Sequence, residues 1–196
     1  MLDEKWIILG LIINLAGGAD YLWETVKGRT KPNKVSWFIW SLAPLVAFAA
    51  EIQQGVGSAA ALTFLIGFQP LLVFIASLFQ KQAYWKLTKG DLLCGGAAVL
   101  GIILWKITGV GNLAIVFSIL ADLMGAIPTI IKSWKAPQSE SSLMYLTDAV
   151  SAGITLLTIR YWKFENYGFP LYIMLICGLN YIILRRQAGR TGVFRG

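Results

Sequence analysis

Four carboxylic acids interrupt stretches that are otherwise apolar: Asp20 and Glu24 in "GADYLWETV", Asp122 in "ILADLMGAI" and Asp148 in "LTDAVSA". Asp20 and Glu24 are one helical turn apart and share a face. No lysine or arginine lies at comparable depth in these stretches. Low-dielectric surroundings disfavour the charged form of an unpaired carboxyl, so such a group can gain and lose a proton as its surroundings change. That makes Asp20, Glu24, Asp122 and Asp148 the candidates for coupling a process to protons. Glu24 also reads as an interfacial ion pair with Lys27, and Asp148 equally as a neutral carboxyl bonded to a neighbouring helix. Asp20 and Asp122 are the deeper pair and are expected to face a cavity.

The second group of interest is aromatic. In "SWFIWSLAP" the residues Trp37, Trp40, Ser41 and Pro44 fall on one helix face. An indole there can stack on a sugar ring or hold a cationic amine against its quadrupole. Trp40 is the expected ligand contact, whereas Trp37, a turn from a basic loop, reads as an interfacial belt residue. Gln69–Pro70 sits inside another apolar run, where the proline frees a carbonyl and the amide can satisfy it or a ligand. Gly17 and Gly18 read as close-packing positions. Cys94 and Cys177 lie in apolar runs and read as small apolar residues. The chain has no histidine, which removes the commonest metal ligand and general base. "ADLMG" and "GADYL" do not supply the glycine-aspartate signature of an intramembrane protease. No metal, no cofactor and no catalytic group is therefore expected.

The elements that position these residues follow from composition. Of 196 residues, 57% are hydrophobic and 14% charged, with a mean hydropathy of +0.65. A soluble domain carries roughly a quarter charged residues, so the natural solvent for this chain is lipid. The net charge of +7 does not point to nucleic acid, because the basic residues stand at the ends of apolar segments as membrane anchors do. Seven apolar runs are expected as spanning helices, at Trp6–Val26, Val35–Ala50, Ala59–Phe79, Leu92–Thr108, Leu113–Ile131, Leu143–Tyr161 and Tyr167–Leu184. Lysines and arginines divide thirteen to four between the two sets of ends: the larger set runs from Lys27 through Lys81, Lys86 and Lys132 to Arg190 and Arg195. The larger set belongs in the cytoplasm, which places the N-terminus outside and the C-terminus inside.

The chain also repeats itself. When "LWETVKGRTKPNKVSWF" is laid on "IPTIIKSWKAPQSESSL", Lys27 meets Lys132, Pro32 meets Pro137 and Ser36 meets Ser141 without a gap. The same register pairs Trp40 with Tyr145, and "GFQPLL" on "GLNYII" pairs Gln69 with Asn180. Both loops join the first and second helices of a triplet. Two triplets can run parallel only if one further crossing separates them. The expected divisions are 1–80 for the first three-helix repeat, 81–111 for a linker with an inverting fourth helix, 112–185 for the second repeat and 186–196 for a basic cytoplasmic tail.

This layout resembles the PQ-loop and SWEET-like superfamily of small-solute transporters. That resemblance implies an all-α membrane protein of two parallel three-helix bundles joined by a linker helix. The family's Pro-Gln pair corresponds to Pro128–Thr129 in the second copy, with Trp23–Glu24 in the first. The resemblance implies hinges at Pro44 and Pro128, and Pro70 adds a third proline of the same kind. In sugar-carrying members an asparagine on the third helix of each triplet holds substrate, which implies that role for Gln69 and Asn180.

The expected function is transport of a small polar metabolite (a sugar, amino acid or amine) by alternating access, with protons as a coupling ion. The expected substrate contacts are Trp40, Gln69, Asn180, Tyr145, Asp122 and Asp20. The alternative is a seven-helix receptor of the same superfamily that binds a ligand without moving it. Two triplets in one chain can enclose a complete pathway, so homo-oligomerisation is an option and not a requirement.

Overall fold

Apolar segments in lipid must satisfy every backbone N–H and C=O internally, and helices do so within one segment. The computed structural model describes residues 2–80 and 89–191. It contains seven α-helices: α1 (Trp6–Val26), α2 (Lys34–Gln53), α3 (Ala60–Leu78), α4 (Lys89–Thr108), α5 (Gly111–Lys135), α6 (Ser142–Thr158) and α7 (Phe164–Thr191). A single 3-10 turn, Pro137–Ser139, lies between α5 and α6. Lys81, Lys86 and Arg195 of the basic set lie outside the described residues, as do the side chains of Cys94 and Arg190.

Five helices, α1, α2, α3, α5 and α7, are long and apolar enough to cross a membrane. The apolar α6 has 17 residues, a little under the roughly 20 that a hydrocarbon core asks of an untilted helix. The first helix has the expected bounds. The second runs past Ala50 to Gln53, which takes Glu51 into the helix and into the protein interior. Helix α1 ends where Gly28 adopts φ +71°, a left-handed conformation that glycine alone takes without penalty. Helices α2, α3, α5 and α7 continue through Pro44, Pro70, Pro128 and Pro170.

The distribution of polarity is that of a protein in lipid. Ile8, Ile12 and Leu15 on α1, Phe38 and Leu42 on α2, and Leu175, Leu179 and Ile182 on α7 are exposed. Meanwhile Asn14, Ser41, Thr63, Gln69, Ser118, Asp122, Asp148 and Asn180 are buried. In water such an exterior would be a large uncovered apolar surface. Against acyl chains it is the expected face, and the chain is an integral membrane protein.

Packing is selective. Helix α3 lies against both α1 and α2, whose backbones do not approach each other closely among the described residues. Helix α7 lies in the same way against α5 and α6, whose backbones likewise stay apart among the described residues. Across the middle, α1 packs on α6 and α2 on α5, while α4 packs mainly on α5. The shared core gathers Ala47, Ala50, Leu62, Ile66, Ala114, Ile115, Ala152, Phe169 and Ile173.

The α1–α6 and α1–α3 contacts need two adjacent glycines, as expected for close packing. A Cβ at Gly17 would collide with the Thr147 side chain and press on the Met144 backbone, and one at Gly18 would occupy the Gln69 amide. Gly17→Ala should destabilise the folded protein by about 1–3 kcal/mol, read as a lower thermal midpoint in detergent. Adding Thr147→Ala should recover part of the loss; full additivity of the two changes would show that this contact is not the cause.

Candidate functional site

A cavity of about 60 Å³ lies in the interior, and α1, α2, α3, α5, α6 and α7 all contribute to its wall. Its apolar part includes Leu65, Ile66, Ile130, Ile173 and Ile176, and its polar part Asn14, Gln69, Asp122, Thr129, Asp148 and Asn180. Pro70 and Cys177 also line it, and among the described residues no lysine or arginine does.

One side of the wall is a chain of hydrogen bonds across three helices. Asn14 Nδ2 donates to Asp148 Oδ1 at 2.7 Å, and Gln69 Nε2 donates to Asn14 Oδ1. The carboxylate fixes the direction of the whole chain: an acceptor at Asp148 demands the amide nitrogen of Asn14, whose oxygen then demands the nitrogen of Gln69. Gln69 Oε1 is left buried without a hydrogen-bond partner, as is Asn180 Oδ1. Cys177 Sγ reaches Asp148 Oδ2 at 3.9 Å, so this thiol is part of a polar wall and not the purely apolar filler expected from its sequence context.

The other side centres on Asp122. Tyr172 donates its hydroxyl to Asp122 Oδ2 at 2.6 Å, and Trp40 Nε1 donates to the Asp122 backbone carbonyl at 3.2 Å. Trp37 stands edge-on to Trp40 with ring centroids 5.4 Å apart and packs on Tyr21 at 4.6 Å. The belt reading of Trp37 is therefore corrected: it is only 3% exposed and forms part of the cavity wall. Its place a turn from the basic loop does not put it at the lipid interface, because α3 and α1 close over that face of α2.

Glu140 closes one end. Tyr21 and Tyr145 each donate a hydroxyl to Glu140 Oε2 at 3.1 Å, and Lys132 Nζ reaches Oε1 at 2.8 Å. Lys132 also donates to the Lys31 carbonyl at 2.8 Å, so the two repeated loops are fastened together. The Glu140 side chain is 3% exposed, and a pair this deep is hard to break from one side, since the group left behind stays desolvated. Beyond it opens a wider pocket of about 440 Å³, lined by Asp20, Glu24, Arg29 and Ser141 among others. At the opposite end of the bundle a third pocket of about 500 Å³ is lined by Glu4, Gln54, Arg160 and Glu165.

Of the expected site residues, Trp40, Gln69, Asn180, Tyr145, Asp122 and Asp148 meet in the central cavity. Asp20 does not: it lines the end pocket and accepts from the Ser141 hydroxyl at 3.1 Å. Glu24 is in an ion pair, but with Arg29 at 2.8 Å and not with Lys27, whose ammonium lies over the Trp23 ring. The chain turns at Gly28, which brings Arg29 back beside Glu24. Pro44 is buried and Pro128 half-buried, both away from the cavity wall.

Asn14, Tyr172, Glu140 and Glu51 were not singled out by sequence reasoning. Asn14 was visible as a lone carboxamide in "LIINLAGG", and intramembrane polarity alone marks it. Glu140 lies between α5 and α6, where nothing in the neighbouring sequence marks a buried group. Glu51 accepts from Thr63 Oγ1 at 3.1 Å while its second oxygen is buried without a partner, away from the cavity wall. Among the described residues, no three His, Cys, Asp or Glu gather as metal ligands. Comparison with protein-family models, curated proteins and solved structures finds no match to this chain.

Asn14→Leu removes both bonds of the three-helix chain and leaves Asp148 and Gln69 without these partners. Its expected effect is a loss of about 2–4 kcal/mol, measured as thermal unfolding in detergent. Leu15→Ala, next along α1 but facing outward, should stay within about 0.5 kcal/mol of wild type.

Proposed function

We propose that this protein is a small-solute transporter working by alternating access, built as two parallel three-helix bundles, α1–α3 and α5–α7, joined by α4. The observation that carries the reading is a cavity walled by all six bundle helices, apolar over most of its surface but holding Asp122, Asp148, Asn14 and Asn180, and set between larger pockets at the two ends. The helix contacts support the architecture: they keep the same pattern when α1, α2 and α3 are exchanged for α5, α6 and α7. Carriers built from such repeats hold substrate near the midplane where the repeats meet.

In this reading the basic loops and the C-terminus face the cytoplasm, as the bias of lysine and arginine implies. The Glu140 cluster is then the closed cytoplasmic gate. Opening it separates the α1–α2 loop from the α5–α6 loop by releasing Lys132 from the Lys31 carbonyl. Pro44, Pro70 and Pro128 are the places where α2, α3 and α5 can bend, since each lacks one backbone hydrogen bond. Asp122 and Asp148 are the carboxyls available to a coupling proton. The test is uptake of labelled sugars, amino acids and amines into proteoliposomes, with and without an imposed pH gradient. Stable binding with no flux across the whole panel would replace the carrier with a receptor.

Cys177 supplies a native reporter for the gate. In a Cys94→Ser background, Glu140→Ala should speed modification of Cys177 by a membrane-impermeant methanethiosulfonate. The increase should be on the order of tenfold, the population shift produced by losing about 1.4 kcal/mol of closing energy. An unchanged rate from the side of the basic loops would mean that Glu140 is not a gate.

A further inference from the structure

We propose that the central cavity selects a small organic cation, an ammonium or amine-bearing solute, over neutral sugars and over anions. This deepens the transport reading and rests on it for the movement of the cation, but not for its binding.

The charge of the wall carries the inference. Asp122 and Asp148 both lie in the cavity, each about 95% buried, and among the described residues no lysine or arginine lines it. Neither carboxyl belongs to an ion pair: the two salt bridges among the described residues are Arg29–Glu24 and Lys132–Glu140. Two acids in so dry a place require a counter-charge or a proton, and a cationic solute supplies the former.

The hydrogen-bond inventory points the same way. Several donors of the wall already act within the protein, Trp40 on the Asp122 carbonyl, Tyr145 on Glu140 and Asn14 on Asp148, while Tyr172 reaches Asp122 from behind the wall. One buried oxygen of a wall residue, Asn180 Oδ1, is left without a partner, and Asn180 is only 3% exposed. That oxygen and the two carboxylates favour a ligand that brings N–H donors. An ammonium does, whereas a sugar hydroxyl brings donor and acceptor together and a carboxylate brings only acceptors.

The remaining walls define the kind of cation. Trp37, Trp40 and Tyr145 put three aromatic rings on the cavity, and an aromatic face attracts ammonium groups with apolar substituents. A bare metal ion would instead ask for several oxygen ligands converging at short range, and no such group gathers among the described residues. Leu65, Ile66, Ile130 and Ile173 complete an apolar rim for a short hydrocarbon body.

The full-length protein in nanodiscs is titrated with tetramethylammonium, ethanolamine and 1,4-diaminobutane, and in parallel with glycerol, ribose and sodium acetate at equal ionic strength. At least one organic cation should bind, read calorimetrically, and none of the other probes should. Asp122→Asn should weaken the best cation by about 100-fold, and Trp40→Leu by about tenfold. Because Asp148 also holds three helices together, Asp122→Asn and Trp40→Leu are the deciding variants, each first checked for a wild-type thermal midpoint. Ribose or acetate binding as tightly as the cations, or no binding by any probe, overturns the proposal, as does cation binding unchanged in Asp122→Asn. Proteoliposome flux separates the two readings. A cation that binds without moving sinks the carrier and leaves the selectivity; ribose flux without cation binding sinks the selectivity and leaves the carrier.

Discussion

The rest of the structure depends on one requirement: polar side chains placed in an apolar bundle must bond one another, because lipid offers them nothing. Gln69, Asn14 and Asp148 meet that requirement in a single line that crosses from α3 through α1 to α6. The line works only because Gly17 and Gly18 let α1 approach both neighbours closely. Small residues and amides therefore act together here. The glycines set the separation, and the amides fix which helices are separated by it.

The same requirement fixes the polar groups that face the mostly apolar cavity. Each carboxyl is held at one edge, Asp148 by Asn14 and Cys177 and Asp122 by Tyr172, so neither can fold back into the space between them. The tryptophans are equally constrained, with Trp40 tied to the α5 backbone and Trp37 wedged between Trp40 and Tyr21. Tyr21 and Tyr145 then connect this wall to Glu140, so a change in the cavity is mechanically continuous with the fastening of the two loops. In the proposed transport cycle that continuity lets occupancy of the site bias the gate.

Three carboxyls buried within helices differ in setting, and the difference has consequences. Asp122 and Asp148 share a cavity with aromatic rings and amides. Glu51 sits towards the other end of α2 beside Thr63, with one oxygen unpartnered and no place on the cavity wall. Glu51 therefore belongs to the packing between α2 and α3, whereas the aspartates line the central cavity.

Much of this was legible in the amino-acid sequence, and for a physical reason. Hydropathy over a window reports the solvent a segment needs, so the lipid environment and the bounds of α1 follow directly from residue order. The cost of an isolated polar group in lipid likewise flags Asp122, Asp148, Gln69 and Asn180 before any folding is considered. Partners are another matter, because they depend on which faces meet. Trp37 could be placed at an interface only until α1 and α3 were seen to cover it. Lys27 lies nearer to Glu24 in the chain than Arg29, yet the turn at Gly28 brings Arg29 to the carboxylate. Glu140 lies in the α5–α6 loop, and only the packing brings Lys132, Tyr21 and Tyr145 to it from three helices. Local composition determines what each segment must be dissolved in; which groups are brought together is decided only when the helices pack, since hydrogen bonds between distant residues have no signature in the spacing of either one.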